Sequence, residues 1–440
     1  MHIENKHIVQ IVIKNTSTLD FTIPLFWKIK QEYPKTKISI LYCVFDKKEI
    51  LRESKFFTEM CSELNINVYD FSDFSIGIVK SLKNIFKKIF IKSKADKLSF
   101  YEIKENIKRY NFQVLPDIFK LILTKMERYI LKNSIDYKNI LETLSPNIIF
   151  FDNRSVSNFV GREYIYDYMY NKKVPTYLIP HAPHMRDAVS EFCPFDERGE
   201  ELPEFSYFMI PFKYGTPWIG KEDKKQQFFV SGYPGFDSDW LEYCKSFNQK
   251  KTDTVNVLFV IRRFLAEGVK REKDTDPFII DYDEFIEPLN LIKQSIEKSG
   301  ENIKLVIKPH PANNYNELER IMKKTNIQNW EITHEPMYAL LSQVDIVCSL
   351  SSTILLVPAL AKIPTIIFDT QLQRQIHRSW DKLAELYSGM NFYLDDNSKF
   401  QDTFLGIVDN LDQDYNENNI RKFFDDNSCK INITKIEGKK

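Results

Sequence analysis

Short apolar runs of strand length alternate with helix-length patterns through most of this chain, and the rhythm starts twice. His7–Ile13, Lys37–Val44 and Ile66–Tyr69 read as buried strands, with helices at Leu19–Glu32 and Glu49–Leu64 separating them. Residues Ser75–Ile140 read as mostly helical, and Asn147–Phe151 and Thr176–Ile179 are two further strands. After a polar joint at Asn248–Thr254, strands at Val255–Val260, Ile303–Ile307, Trp330–Thr333, Ile346–Cys348 and Thr365–Phe368 alternate with helices at Phe285–Ser299, Asn314–Lys324, Met337–Ser342 and Ser352–Ala361. Strands that are continuously apolar, rather than alternating with polar residues, are covered on both faces, as in parallel sheets flanked by helices. The expected class is therefore α/β, with two doubly wound domains facing each other across a cleft.

Composition removes several function classes. Lys plus Arg and Asp plus Glu both number 61, so the chain lacks the basic excess that phosphate-backbone binding requires. The six cysteines are scattered, with no CxxC pair, which fits neither a disulfide framework nor a zinc site and suggests a reducing cytosol. The N-terminal run stops at Lys14, short of a signal peptide, and no stretch reaches the roughly 18 apolar residues of a membrane span. Lys80–Lys97 carries seven lysines and one acid among Leu82, Ile85, Phe86, Ile89, Phe90 and Ile91. This reads as a basic amphipathic helix, either peripheral to an anionic membrane or an ordinary surface helix.

In doubly wound sheets, ligands bind beyond the carboxyl ends of strands, so the residues just after each apolar run are the candidates for chemistry. Lys308-Pro309-His310-Pro311 follows IKLVI, and its prolines restrict the backbone around an imidazole that can bind or protonate a phosphate oxygen. The other reading is a rigid solvated loop. Ser351, Ser352 and Thr353 follow the strand at Ile346–Cys348, where hydroxyls and backbone N–H groups either cap a helix or hold an anion. Arg262 and Arg263 follow VLFVI, within reach of a diphosphate or simply solvated.

In the first half, His181, His184, Arg186 and Asp187 follow the strand at Thr176–Ile179, and Asp152 follows NIIFF. They are candidates for a general base, with a structural histidine or solvated loop carboxylate as the alternative. Gly232–Asp237 precedes the joint and places Tyr233 and Asp237 at the expected cleft. No metal site is expected: Asp274-Thr275-Asp276 lies in a polar loop, and no further His/Cys cluster joins His181 and His184.

In order, these pieces resemble bacterial cell-surface polymer transferases of GT-B architecture. These are the CDP-glycerol glycerophosphotransferases of teichoic acid synthesis, the capsule Kdo transferases and the polysialyltransferases. The counterparts of their motifs are Ile179–His181, Gly232–Asp237, Val255–Arg263, His310-Pro311, Ser351–Thr353 and Pro364–Phe368, spanning roughly residues 145–370. Where the glycerophosphotransferases carry Gly, this chain has Ala182. UDP-N-acetylglucosamine 2-epimerases share the architecture, but carry Asp-Ser-Gly-Gly where this chain has Ser349-Leu350-Ser351-Ser352.

The resemblance implies an acceptor-side Rossmann-like domain over 1–247, with a helical insertion at about 75–140. It implies a nucleotide-donor domain over 248–396 and a helical segment over 397–440 returning to the first domain. It implies a glycosyltransferase that extends a surface glycan, without metal or resident cofactor, from a nucleotide-activated sugar, with a CMP-activated Kdo or nonulosonate type favoured. The partners would be that sugar and a glycan or lipid-linked glycan acceptor, with no nucleic acid; an anionic inner membrane surface is a further candidate only through the basic stretch at 80–97. His310, with Lys308, Pro311, Ser351, Ser352, Thr353, Arg262 and Arg263, would hold the donor phosphate. His181 would lie near the acceptor hydroxyl. The chain shows no clear match to the paired acidic residues followed by Gly that supply the base in polysialyltransferases. Asp152 and Asp187 are the substitutes its own sequence offers, with His184, Arg186, Tyr233 and Asp237 on the acceptor side of the cleft. A polyol-phosphate transferase and a non-catalytic GT-B binding component of a capsule assembly complex are the alternatives.

Overall fold

The computed structural model describes residues 3–12, 18–43, 54–74, 137–152, 162–179, 206–210, 227–247, 253–269, 279–310, 313–350, 352–369, 392–394, 396–411, 413, 415, 418–421 and 428–438. It divides into two units, Met1–Pro234 with Cys429–Lys440, and Gly235–Ser428.

The first unit runs β1 (His7–Val12), α1 (Leu19–Glu32), β2 (Lys37–Tyr42), α2 (Lys55–Glu63), β3 (Asn67–Asp70), α3 (Tyr137–Leu144), β4 (Ile148–Asp152), α4 (Arg162–Lys172), β5 (Thr176–Ile179), β6 (Ser206–Ile210) and β7 (Gln227–Val230). The strands form one sheet in the order β3-β2-β1-β4-β5-β6-β7, every pair parallel. All six residues of β1 are buried, as its position between two strands and under helices requires.

On one face Val9, Ile11, Leu41, Ile149, Phe151 and Leu178 pack against Ile140 and Leu141 of α3 and Ile165 and Met169 of α4. On the other, Phe150 meets Phe26 of α1 edge-on at 5.8 Å and stacks on Tyr177 at 5.4 Å. Helix α2 begins where the Ser54 hydroxyl accepts the Phe57 N–H at 3.1 Å. Residues 49–53 of the expected helix and the basic stretch at 80–97 lie outside the described residues.

The second unit runs α5 (Ser238–Ser246), β8 (Val255–Ile261), α6 (Tyr282–Ser299), β9 (Ile303–Pro309), α7 (Tyr315–Lys324), β10 (Trp330–Ile332), α8 (Met337–Leu340), β11 (Ile346–Ser349), α9 (Leu356–Leu360), β12 (Thr365–Phe368), β13 (Phe392–Leu394), α10 (Phe400–Val408) and α11 (Asn418–Arg421). Its sheet, β10-β9-β8-β11-β12-β13, is again wholly parallel. Val257, Phe259, Leu305, Ile307, Cys348, Ile366 and Phe368 face α6, α7 and α10. Trp240 of α5 packs edge-on against Tyr338 of α8, with ring centres 5.6 Å apart.

The helix expected over Ser352–Ala361 is a 3₁₀ turn at Thr353–Leu355 followed by the short α9. Pro358 lacks the N–H that would close the first α-helical turn onto Ile354. Strands β6, β7 and β13 and helices α4 and α5 are additional to the elements the sequence pattern suggests.

The chain returns to the first unit through α12 (Ser428–Ile436), from Cys429 onward. There the Asn432 amide donates to the Ser231 carbonyl at 3.0 Å, and the Cys429 thiol lies 3.7 Å from the Pro24 carbonyl and 3.8 Å from that of Pro234. The described cysteines (Cys43, Cys61, Cys244, Cys348 and Cys429) are all buried, and no disulfide joins any two of them. Burial pushes Cys61 up to about 12, and Cys43, Cys244 and Cys348 also upward. These are packing groups rather than nucleophiles. Among the described residues no helix is long and apolar enough to cross a membrane.

His7 opens β1 and is only 7 % exposed. Nδ1 lies 2.7 Å from the Leu144 carbonyl and Nε2 2.8 Å from the Ser39 hydroxyl. A neutral ring satisfies both contacts, Nδ1–H donating and Nε2 accepting. Burial, then the nearby Lys37, lowers its pKa below the ordinary 6.5. The unfolded chain thus takes up this proton first, and the contribution is complete above pH 6.5 and lost as pH falls through the lower, folded value. Between pH 7.5 and 5, the melting temperature of the wild type should therefore fall more steeply than that of His7→Gln (taking pH steps of about half a unit). Parallel curves would assign the acid sensitivity to other groups.

Candidate functional site

In both sheets the strand order reverses between the first strand of the unit and its fourth, β1 beside β4 and β8 beside β11. At such a reversal the connections leave in opposite directions, and a crevice opens beyond the carboxyl ends of the two strands.

In the second unit the register brings these ends level. Val260 of β8 is flanked by Lys308 of β9 and Ser349 of β11, and Ile261 pairs with Pro309. The segments that leave this edge are Arg262–Phe264, His310 onward and Leu350 onward, so three separate sequence candidates converge on one sheet edge. Ser349 is fully buried and ties the two central strands together, its hydroxyl lying 2.8 Å from the Val260 carbonyl and 2.6 Å from that of Leu350.

His310 is exposed and its carbonyl accepts the Asn313 N–H at 2.9 Å. Lys308 is half-buried, and its ammonium donates to the Glu335 carbonyl at 2.5 Å, so one of its three protons holds the loop after β10. Arg262 is half-buried and Arg263 exposed. Ser352 and Thr353 are half-buried, and Ser352 makes no side-chain cap bond to the turn that follows it. Pro311 and Ser351 lie outside the described residues.

Two residues at this edge escape the sequence reading. Asn313 is 5 % exposed: its Oδ1 accepts the Phe264 N–H at 3.1 Å and its Nδ2 donates to the Arg262 carbonyl at 2.9 Å. Asp369 directly follows β12 and is fully buried. An acid at the end of an apolar run is the signal for it, as for Asp152 at the end of β4.

In the first unit Asp152 is the last residue of β4, opposite Ile179 in β5, beside the reversal at β1. His181, His184, Arg186 and Asp187 lie outside the described residues. Tyr233 and Asp237 are 2 % and 5 % exposed. Tyr233 packs edge-on against Phe21 of α1 at 5.5 Å, after a Gly232 with φ of 65°, a left-handed conformation suited to glycine. Among the described residues no group of three or more His, Cys, Asp or Glu side chains is arranged to hold a metal ion.

The chain resembles a crystal structure of UDP-N-acetylglucosamine 2-epimerase, with a TM-score of 0.51 at 10 % identity, covering 100 % of this chain and 98 % of that one. The fold is GT-B. A Staphylococcus aureus MnaA–UDP complex (TM-score 0.48, 13 % identity, 98 % and 96 % covered) and the apo lipopolysaccharide outer core galactosyltransferase WaaB (0.38, 12 %, 99 % and 100 %) are similar at lower scores. No family model matches the sequence, and no curated protein does.

The Ser349 link lies inside this GT-B unit, at the reversal itself. Ser349→Ala should lower stability by about 1 kcal/mol in urea unfolding, the net value of one buried hydrogen bond. An unchanged midpoint and slope would show that the two central strands need no such tie.

Proposed function

We infer that the protein is a glycosyltransferase whose second unit binds a nucleotide-activated sugar. The observation that carries this reading is the meeting of Arg262, Arg263, His310, Ser352 and Thr353 at one carboxyl edge, around the β8–β11 reversal. Three cationic or protonatable groups and two hydroxyls there suit a phosphate or diphosphate.

In this mechanism Asp152, His181 or Asp187 of the first unit removes the proton of an acceptor hydroxyl. The hydroxyl oxygen attacks the donor's anomeric carbon. The bond from that carbon to the phosphate oxygen breaks, its electron pair leaving with the nucleotide. His310 protonates or hydrogen-bonds the departing oxygen. The arginines and the Ser351–Thr353 segment, with Pro311 shaping the loop, stabilise the charge that builds there. Lys308 holds the Glu335 loop and adds its charge. Neutralisation by these side chains makes a metal ion unnecessary. His184 and Arg186 would meet the acceptor.

The motif order favours a CMP-activated acidic sugar of Kdo or nonulosonate type, added to a capsule or other surface glycan from the cytoplasmic face of the membrane. The basic stretch at 80–97 would supply contact with anionic lipid. A second reading, a UDP-activated hexose donor, is favoured by the likeness to the epimerase, an enzyme named for a UDP-sugar.

Thermal stabilisation by CMP, CDP, UMP, UDP, GDP and ADP at matched concentrations decides between them. At one hundred times its dissociation constant a donor nucleotide adds about 2.7 kcal/mol. A shift with CMP that disappears in His310→Ala supports the acidic-sugar donor, and preference for UDP moves the assignment to a hexose. Preference for CDP points to polyol-phosphate transfer, with attack at phosphorus. No shift with any nucleotide sinks the donor assignment and leaves a non-catalytic binding role. Sedimentation with anionic vesicles at low salt tests the membrane contact separately, and absence of binding there excludes it.

A further inference from the structure

The loop that carries Arg262 and Arg263 is held on every side. Ile280 N–H donates to the Arg263 carbonyl at 3.0 Å, and Leu265 N–H donates back to the Ile280 carbonyl at 2.9 Å. The Phe264 ring stacks on Phe285 of α6 with centres 4.4 Å apart. Further along, the Glu267 carboxylate pairs with Arg320 of α7 at 3.1 Å.

One side chain joins this loop to the histidine loop. The backbone N–H of Asn313 holds the His310 carbonyl, its Oδ1 takes the Phe264 N–H, and its Nδ2 reaches the Arg262 carbonyl. Burial of a primary amide is tolerated only when its donors and acceptor are used. Here the acceptor and one donor are used on backbone atoms on both sides of Arg263. The neighbouring Asn314 has a different task, accepting the N–H groups of Asn316 and Glu317 to cap α7.

We propose that Asn313 is a positioning residue: it locks the Arg262–Arg263 loop to the His310 loop so that the arginines and the imidazole meet a phosphate as one rigid cradle. The proposal rests on the donor-site reading above. Such pre-organisation lowers the ordering cost of binding, and its loss appears as weaker affinity rather than as a changed fold. The chemistry of the amide is specific. An aspartate at 313 keeps an acceptor for Phe264 but sets an oxygen against the Arg262 carbonyl, so a nearly isosteric change opens one half of the clamp.

The test is calorimetric affinity of the full chain for CMP, CDP and UDP, in the wild type, Asn313→Asp, Asn313→Ala, Arg263→Ala and the Asn313→Asp/Arg263→Ala double variant. Asn313→Asp and Arg263→Ala should each bind the preferred nucleotide about tenfold more weakly or worse. The double variant should be little weaker than Arg263→Ala alone, because the clamp acts through that loop. In the wild type, bound nucleotide should slow hydrogen exchange at the Phe264 amide, a measurement that needs no variant to fold. Fully additive losses, unchanged affinity with faster Phe264 exchange in Asn313→Asp, or no nucleotide effect on that amide despite binding would each overturn the clamp while leaving the donor site standing. Failure of the wild type to bind any of the three nucleotides would overturn the donor reading instead, and the clamp's purpose with it.

Discussion

Everything at the candidate site depends on the parallel pairing of β8 with β11. A parallel strand hydrogen-bonds on both edges and is covered by helices on both faces, so the first and fourth strands of each unit sit side by side at the most enclosed place in the sheet. Their neighbours then depart to opposite sides. A polar side chain inside such a strand must find a partner there, as Gln10 of β1 and Ser39 of β2 do, whereas Lys308, His310, the two arginines and the Ser/Thr run all lie within a few residues of a carboxyl terminus. Ser349 closes β11 and is fully buried there, with the Val260 and Leu350 carbonyls to receive its hydroxyl.

Much of this was legible in the sequence because buried parallel strands leave plain apolar runs. VNVLFVI, IKLVIKP and TIIF could hardly be anything else. Helix α4, REYIYDYMYNK, was not legible: its tyrosines are apolar enough to pack and polar enough to face water, which blurs the helical period. Strands β6 and β13 are short, and nothing in SYFMI or FYL separates them from aromatic loop.

The site was legible as residue types and illegible as neighbourhood. That His310 follows a strand is written in the sequence. That this strand lies against β8, and β8 against β11, follows from the order β10-β9-β8-β11-β12-β13, which no local pattern encodes. Asn313 and Asn314 illustrate the limit. Both read as polar residues before a helix, yet one is a solvent-side cap and the other is 5 % exposed and bonded to a loop some fifty residues earlier. Only the path of the chain separates them.

That path has one more consequence. The second unit, Gly235–Ser428, is inserted within the first, and the segment from Cys429 completes the first unit only after the whole insert. Until then the Ser231 carbonyl waits for Asn432, and the buried places of Ile433 and Ile436 stand empty. During synthesis the inner unit therefore has all of its residues before the outer one does. Closure of the outer unit is a contact of very long sequence separation, and such contacts form slowly. The order of assembly is thus written into the connectivity: the proposed donor-binding half can mature first, and the half begun first is finished last.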